Sequence, residues 1–146
     1  MQLDQPHLSL PNRDYYFNES TSAHLQAYHQ FMKDVVRLLD TTSKKVDKKR
    51  EEKIQEMLDF EVKLANITVS SDEKRNDSNN HYMKMNLISL NENLTGINWT
   101  LFFDHVFDPV HVNEENESII IYSSNYYRRL IDLVRVTPKE LVVSLF

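Results

Sequence analysis

Cysteine is absent from the 146 residues, and one glycine, Gly96, stands where average usage of about 7% would give about ten. Without cysteine the chain can form no internal disulfide, no thiolate metal site and no catalytic thiol. With a single glycine it can build no Gly-rich phosphate loop. The scarcity also argues against a β-rich fold, whose tight turns call on residues that tolerate positive φ. No apolar run approaches the ~20 residues needed to span a bilayer as a helix. Basic charge is short as well: 17 Lys and Arg face 22 Asp and Glu, a formal net charge of −5. That balance excludes nucleic acid as a partner, since phosphate binding rests on clustered cations. The one basic run, Lys44 to Arg50, is followed at once by Glu51 and Glu52 and reads as a solvated helix start.

What remains is helical in pattern. Asn18 to Ser22 offers several N-cap candidates. Leu25, Tyr28, Met32, Val35, Val36 and Leu39 then recur at spacings of three and four, which predicts a helix ending near Asp40 to Thr42. A second helix is expected from about Asp47 to Ala65, with Ile54, Met57, Leu58, Leu64 and Ala65 inside. The stretch from Val69 to Asn80 is polar and loop-like. Short helices follow over Leu87–Asn91 and Asn98–Phe107, and Glu117–Tyr122 is the best strand candidate. A further helix covers Asn125–Val134. Thr137-Pro138-Lys139-Glu140 is a capping box with Pro at the first helical position, followed by an apolar run to Phe146. The class is mainly α and multi-helical, with at most one or two short strands. At this length one domain is expected, without repeat or dividing linker.

Asn18, Asn66, Asn76, Asn93, Asn98 and Asn116 each begin an Asn-x-Ser/Thr sequon without Pro in the middle. Chance would give about two, so the excess points to a surface that passes through the secretory pathway. Asn66, Asn93, Asn98 and Asn116 are the preferred glycosylation candidates. Met1 to Gln5 has neither a basic start nor an apolar core and is no signal peptide. Secretory sequons without a leader, and a final helix that stops in mid-stripe, are expected of an internal piece of a longer polypeptide.

Several ordered motifs cover the chain from Leu3 nearly to Phe146. Leu8-Ser9-Leu10-Pro11-Asn12-Arg13-Asp14-Tyr15-Tyr16 resembles the LGLPxRDYY segment of neprilysin-like zinc endopeptidases, the family that includes neprilysin and the endothelin-converting enzymes. Phe60-Glu61 with Leu64-Ala65-Asn66-Ile67-Thr68 resembles its FExxLANIT stretch, and Arg75-Asn76 its Arg-Asn pair. Tyr82 to Leu90 is similar to Y-x-K-M-x-L, Ile97 to Phe103 to INWxxFF, and Ile120-Ile121-Tyr122 with Tyr126 to VYxxxY. Ser9 departs from the pattern, standing where Gly is usual.

The resemblance implies a segment of a two-lobed, largely helical ectodomain, in which a second lobe closes over the zinc-bearing one. It implies zinc as the cofactor of the parent enzyme and short peptides as its substrates. It also implies the remainder of the ectodomain, the catalytic lobe, as this segment's partner. The location implied is the extracellular face of the plasma membrane, or the secreted fraction. The family's metal site requires HExxH, two histidines at i,i+4 on one helix face with a Glu to polarise the bound water. Here no histidine among His7, His24, His29, His81, His105 and His111 is followed by Glu, and no two are four apart. No catalytic, cofactor-binding or metal-ligating residue is therefore assigned in this chain.

Other clusters read structurally. Arg13, Asp14, Tyr15 and Tyr16 form a structural anchor in which neighbouring Arg13 and Asp14 point to different elements, because buried charges require partners. Asp104, His105, Asp108 and His111 are too irregularly spaced for a ligand set and read as a polar helix end. Trp99, Phe102, Phe103 and Phe107 follow helical spacing and are expected in the core. The function implied is a non-catalytic segment of a peptide-hydrolysing zinc metalloendopeptidase. The alternative is a catalytically inactive, glycosylated binding or scaffold relative.

Overall fold

The computed structural model describes residues 1–39, 48–70 and 82–143. They fall into two compact units: Met1–Pro6 with Val69–Arg135, and His7–Thr68 with Val136–Phe146. The chain thus passes between units three times, and no change of composition marks any of the crossings.

The His7–Thr68 unit begins with a 3-10 turn at Arg13–Tyr16, initiated by Asn12, whose side chain accepts the Asp14 amide. A second 3-10 turn at Glu19–Thr21 leads into helix α1, Ser22–Leu39. Helix α2, Lys48–Ile67, packs antiparallel to α1: Tyr28 meets Glu61 at one end and Lys33 lies 3.9 Å from Glu51 toward the other. Both helices keep Pro and Gly out of their interiors, as long unbroken helices require. The buried face of α2 runs Ile54, Leu58, Glu61, Ala65, with Phe60 beside it. Short helix α6, Lys139–Val143, belongs to this unit, and Leu141 and Val142 donate backbone bonds to the Pro138 carbonyl. The ends of the first two predicted helices at Asp40–Asp47, and the final run Ser144–Phe146, lie outside the described residues.

The other unit is a three-stranded sheet with helices on it. Strands β1 (Gln2–Leu3), β2 (Tyr82–Met85) and β3 (Ile119–Tyr122) lie in the order β1-β3-β2. β3 runs parallel to β1, with Leu3 opposite Ile121, and antiparallel to β2, with Met83 opposite Ile121. Ile119 and Ile121 alternate inward and are buried. The sheet has three strands where at most one or two were expected, because β1 and β2 are short segments recruited by β3 from far along the chain. The mainly helical class holds: six α-helices account for most of the described residues.

Helix α3, Leu87–Asn93, is capped by Asn86, and helix α4, Trp99–Phe107, by Asn98; each cap accepts the amide three residues on. Between them Gly96 takes φ +117°, and a Cβ there would sit 2.7 Å from Ile131 Cγ2. The only glycine is thus placed where both backbone and space demand it. Helix α5, Ser124–Val136, buries Tyr126, Tyr127 and Ile131. With Leu87, Leu90, Leu94, Trp99 and Phe103 they form the core of this unit. Each fully buried aliphatic side chain contributes about 1.5–3 kcal/mol.

The aromatic spacing of α4 overstated its burial. Trp99 and Phe103 are inside, but Phe102 and Phe107 remain substantially exposed, packed edge-on or stacked against inner rings. Leu39, assigned to the α1 stripe, is 77% exposed, and its neighbours Leu38 and Phe31 are 83% and 61% exposed. Helical spacing reports which residues share a face, and whether that face is covered depends on other segments.

Candidate functional site

The densest polar arrangement lies in the His7–Thr68 unit and gathers around Glu61. Its position follows from register: Ile54, Leu58, Glu61 and Ala65 recur at spacings of four, three and four, so a carboxylate occupies a core position of α2. Glu61 is only 8% exposed. Its Oε1 accepts the Tyr16 hydroxyl at 2.8 Å and the Ser9 amide at 2.9 Å, while Oε2 accepts the Tyr28 hydroxyl at 2.8 Å. The Leu10 amide in turn donates to the Tyr16 hydroxyl at 3.1 Å. Three donors on one carboxylate offset the cost of removing its charge from water. Burial, with the Glu61 carboxylate beside the ring oxygens, raises the Tyr16 and Tyr28 hydroxyls well above their ordinary range.

The four anchor residues divide around this network. Arg13 Nη1 donates to the Thr68 carbonyl at 2.8 Å, tying the 3-10 turn to the end of α2. The Asp14 side chain is exposed, and its backbone carbonyl accepts from Phe17, Asn18 and the Thr21 hydroxyl. Tyr15 packs edge-on against His24 with ring centroids 5.2 Å apart. Tyr16 alone reaches Glu61. Asp14 was expected to anchor through a buried charge, but its carboxylate is exposed and only its backbone takes part, in bonds of the local turn. Sequence reasoning did not single out Glu61, although a charged residue in the apolar register of α2 was the available signal. The Ser9 amide reaches Glu61 from the position where the family pattern has Gly.

The acid and histidine cluster at the end of α4 does not converge. Asp104 Oδ1 lies 3.8 Å from His111 Nδ1 and accepts the Val112 amide at 3.4 Å. His105 turns onto its own helix, with Nδ1 3.0 Å from the Leu101 carbonyl. Among the described residues no group of three His, Cys, Asp or Glu side chains could hold a metal ion. Zinc requires three or four such ligands around one point, and the described residues bring no such set together.

A pocket of about 220 Å³ opens between Asn93, Thr95, Arg128 and Arg135 in the sheet-containing unit. It is smaller than the roughly 300–1,000 Å³ of sites that enclose small molecules. Arg135 there is paired with Asp132 at 3.8 Å.

The glycosylation candidates are all at the surface. Asn66, Asn93, Asn98 and Asn116 expose their side chains, and so does Asn18. Asn76 lies outside the described residues, as do Arg75 and His81.

These arrangements are structural, and comparison with known proteins places them. Endothelin-converting enzyme 1 of Rattus norvegicus is 37% identical over 143 residues, covering 97% of this chain and 18% of that protein. Membrane metallo-endopeptidase-like 1 of Mus musculus is 37% identical over 138 residues, covering 90% of this chain and 18% of its own length. The cryo-EM structure of the Mycobacterium tuberculosis zinc metalloprotease Zmp1 in its open state superposes with a TM-score of 0.79 at 18% identity. That superposition covers 97% of this chain and 21% of Zmp1, and at such identity it speaks for the fold. The chain therefore spans about a fifth of the length of the relatives it matches. The profile of the N-terminal region of Peptidase family M13 matches residues 1–146, every residue of the sequence. The chain belongs to Peptidase family M13.

Proposed function

We propose that this chain is a non-catalytic part of a zinc metalloendopeptidase that hydrolyses short peptides, and that it helps form the lobe enclosing the active-site cavity. The observation that carries the reading is a family match over the whole chain combined with a sequence that contains no HExxH. Zinc, where the parent holds it, polarises a water for attack on the peptide carbonyl. Among the described residues no cluster of ligands for it comes together. Their contribution is scaffolding: the Glu61 network and the bond from Arg13 to Thr68 fix the N-terminal segment against α2.

Exposed apolar residues on each unit support a partner of protein chemistry, the remaining polypeptide with its catalytic lobe. In one unit these are Phe31, Leu38 and Leu39, and in the other Leu101, Phe102 and Val106. The sequon excess supports a location on the extracellular face of the plasma membrane or in the secreted fraction. No helix among the described residues is long and apolar enough to cross a membrane.

The test uses the full-length gene product in a zinc-dependent assay on quenched peptides of increasing length, with a folded protein as competitor. Turnover of short peptides that a chelator abolishes, with folded proteins spared, supports the proposal. A full-length product without HExxH and without turnover defeats the enzyme reading and leaves the inactive glycosylated relative. Cleavage of folded proteins as fast as of short peptides defeats the enclosing role.

A further inference from the structure

On α5, Arg128, Ile131, Asp132 and Arg135 follow one another at spacings of three, one and three, so they share one face of the helix. That face meets the turn after α3, where Asn93, Leu94 and Thr95 complete the walls of the pocket of about 220 Å³. Gly96 sets how closely the two approach. A Cβ there would lie 2.7 Å from Ile131 Cγ2 and 3.2 Å from Arg135 Nη2, so the glycine leaves room for the apolar side chain and the guanidinium together. Leu94 and Ile131 are 2% and 7% exposed and form an apolar base, while Arg128, Arg135 and Thr95 stand exposed around it.

The polar groups of this pocket are mostly donors, and they are unequally engaged. Arg135 Nη1 lies 3.8 Å from Asp132 Oδ1, a loose surface pair of the kind that contributes little. Arg128 has no ion pair or hydrogen bond among the described residues, and neither has the Thr95 hydroxyl. Asn93 gives one Nδ2 hydrogen to the Ser89 carbonyl at 2.8 Å and keeps the other. Two guanidinium groups against one carboxylate leave the lining with a formal charge of +1, in a chain of −5. That surplus matches the single charge of a carboxylate better than a phosphate group at about −1.5 to −2 near pH 7. The planar fork of a guanidinium pairs a carboxylate through two parallel N–H···O bonds. The apolar base suits a short aliphatic stem behind the charge. The volume is room for a side-chain-sized group rather than for an enclosed ligand.

We propose that this pocket binds an aliphatic carboxylate of the glutamate type, with Arg128 as its ion-pair partner, Arg135 as the second cation and Thr95 as a hydroxyl donor. The site is independent of zinc chemistry and of whether the parent hydrolyses peptides. An acidic side chain of a peptide and a small free acid offer the same chemistry, and the probes of the test separate them.

The test uses the full-length gene product, both as wild type and with Asn93→Gln, which keeps an amide at the rim and removes the sequon there. Zinc is chelated so that no peptide is cleaved, and calorimetric titration is run at low salt, where exposed charges are least screened. The probes are N-acetylglutamate N-methylamide, its glutamine counterpart, inorganic phosphate and a blocked pentapeptide with one central Glu among glycines. The glutamate derivative is expected to bind at least about tenfold tighter than the glutamine form and than phosphate, and to lose at least about tenfold in Arg128→Gln. Because Arg128 is exposed and unpaired, that variant should keep the wild-type melting temperature. Arg128→Lys, which keeps the charge and loses the fork, should fall between the two. Equal affinity for the Glu and Gln forms, tighter binding of phosphate, or wild-type affinity in Arg128→Gln overturns the proposal. So does the absence of binding by either carboxylate probe in both backgrounds up to about 10 mM. Where the carboxylate binds and depends on Arg128, a pentapeptide at least about tenfold tighter than the single residue assigns the site to a peptide segment, and equal affinities assign it to a free acid.

Discussion

Glu61 shows how one side chain can order several segments. A buried carboxylate with three donors is stable only while all of them stay in place, and here they come from Ser9, Tyr16 and Tyr28. Replacing Glu61 with Ala leaves two tyrosine hydroxyls and an amide without their acceptor, and should cost about 2–4 kcal/mol in denaturant unfolding. A loss below about 0.5 kcal/mol, the level of an ordinary surface change, would show that the network contributes nothing to stability. The tyrosines make a second prediction. Burial pushes the Tyr126 hydroxyl up to about 12, and raises Tyr16 and Tyr127 further, against an ordinary value of 10.0. The folded state therefore holds these protons where the unfolded chain has released them. The associated stability is full below pH 10 and is lost as pH rises through the folded values. Tyrosinate absorbance should show a buried class of hydroxyls that titrates only above the ordinary range, with loss of far-ultraviolet ellipticity. A single transition near pH 10 with the helices intact would count against it.

At the scale of elements, both short helices of the sheet-containing unit depend on asparagine caps. Each of α3 and α4 is too short to persist alone in water, so its first turn needs the cap and its inner face needs the core. Asn86→Ala removes the acceptor for the Ser89 amide and should cost ~1 kcal/mol, with Asn86→Asp nearly neutral. Equal losses in the two variants would mean that the side-chain contact to the Glu115 carbonyl at 3.5 Å, rather than the cap, carries the effect. The sheet obeys a different rule. β3 announces itself by an apolar run with inward alternation, whereas two-residue β1 and exposed β2 have no pattern of their own and exist through pairing with it.

At the scale of the molecule, the exposed apolar residues dominate expected behaviour. Leu38, Leu39 and Phe31 on α1, and Leu101 and Val106 on α4, exceed what scattered surface hydrophobics require. Expressed alone, the 146-residue chain should be helical by circular dichroism, bind a hydrophobic dye and associate as concentration rises. A monomer with one sharp melt and no dye binding would contradict this. The same preparation should neither take up zinc stoichiometrically at micromolar concentration nor cleave a quenched peptide. Equilibrium dialysis together with the peptide assay checks both, and zinc-dependent turnover would refute the assignment of a non-catalytic segment.

The amino-acid sequence by itself determined the helical class, the positions of most helices and the family. These are local or linear properties: the spacing of apolar residues and motifs in fixed order. It also excluded the HExxH pattern, because spacing along one helix is readable without coordinates. Tertiary structure decided what faces what. Periodicity placed Leu39, Phe102 and Phe107 on apolar stripes, but segments distant in sequence leave them largely uncovered. Glu61 sits among apolar positions, and only the arrival of Ser9, Tyr16 and Tyr28 explains why a carboxylate is stable there. The division into two interleaved units was likewise unreadable, since each is assembled from parts far apart in the chain with no linker to mark their joins. Burial is a property of pairs of surfaces, and a linear pattern specifies only one surface of each pair.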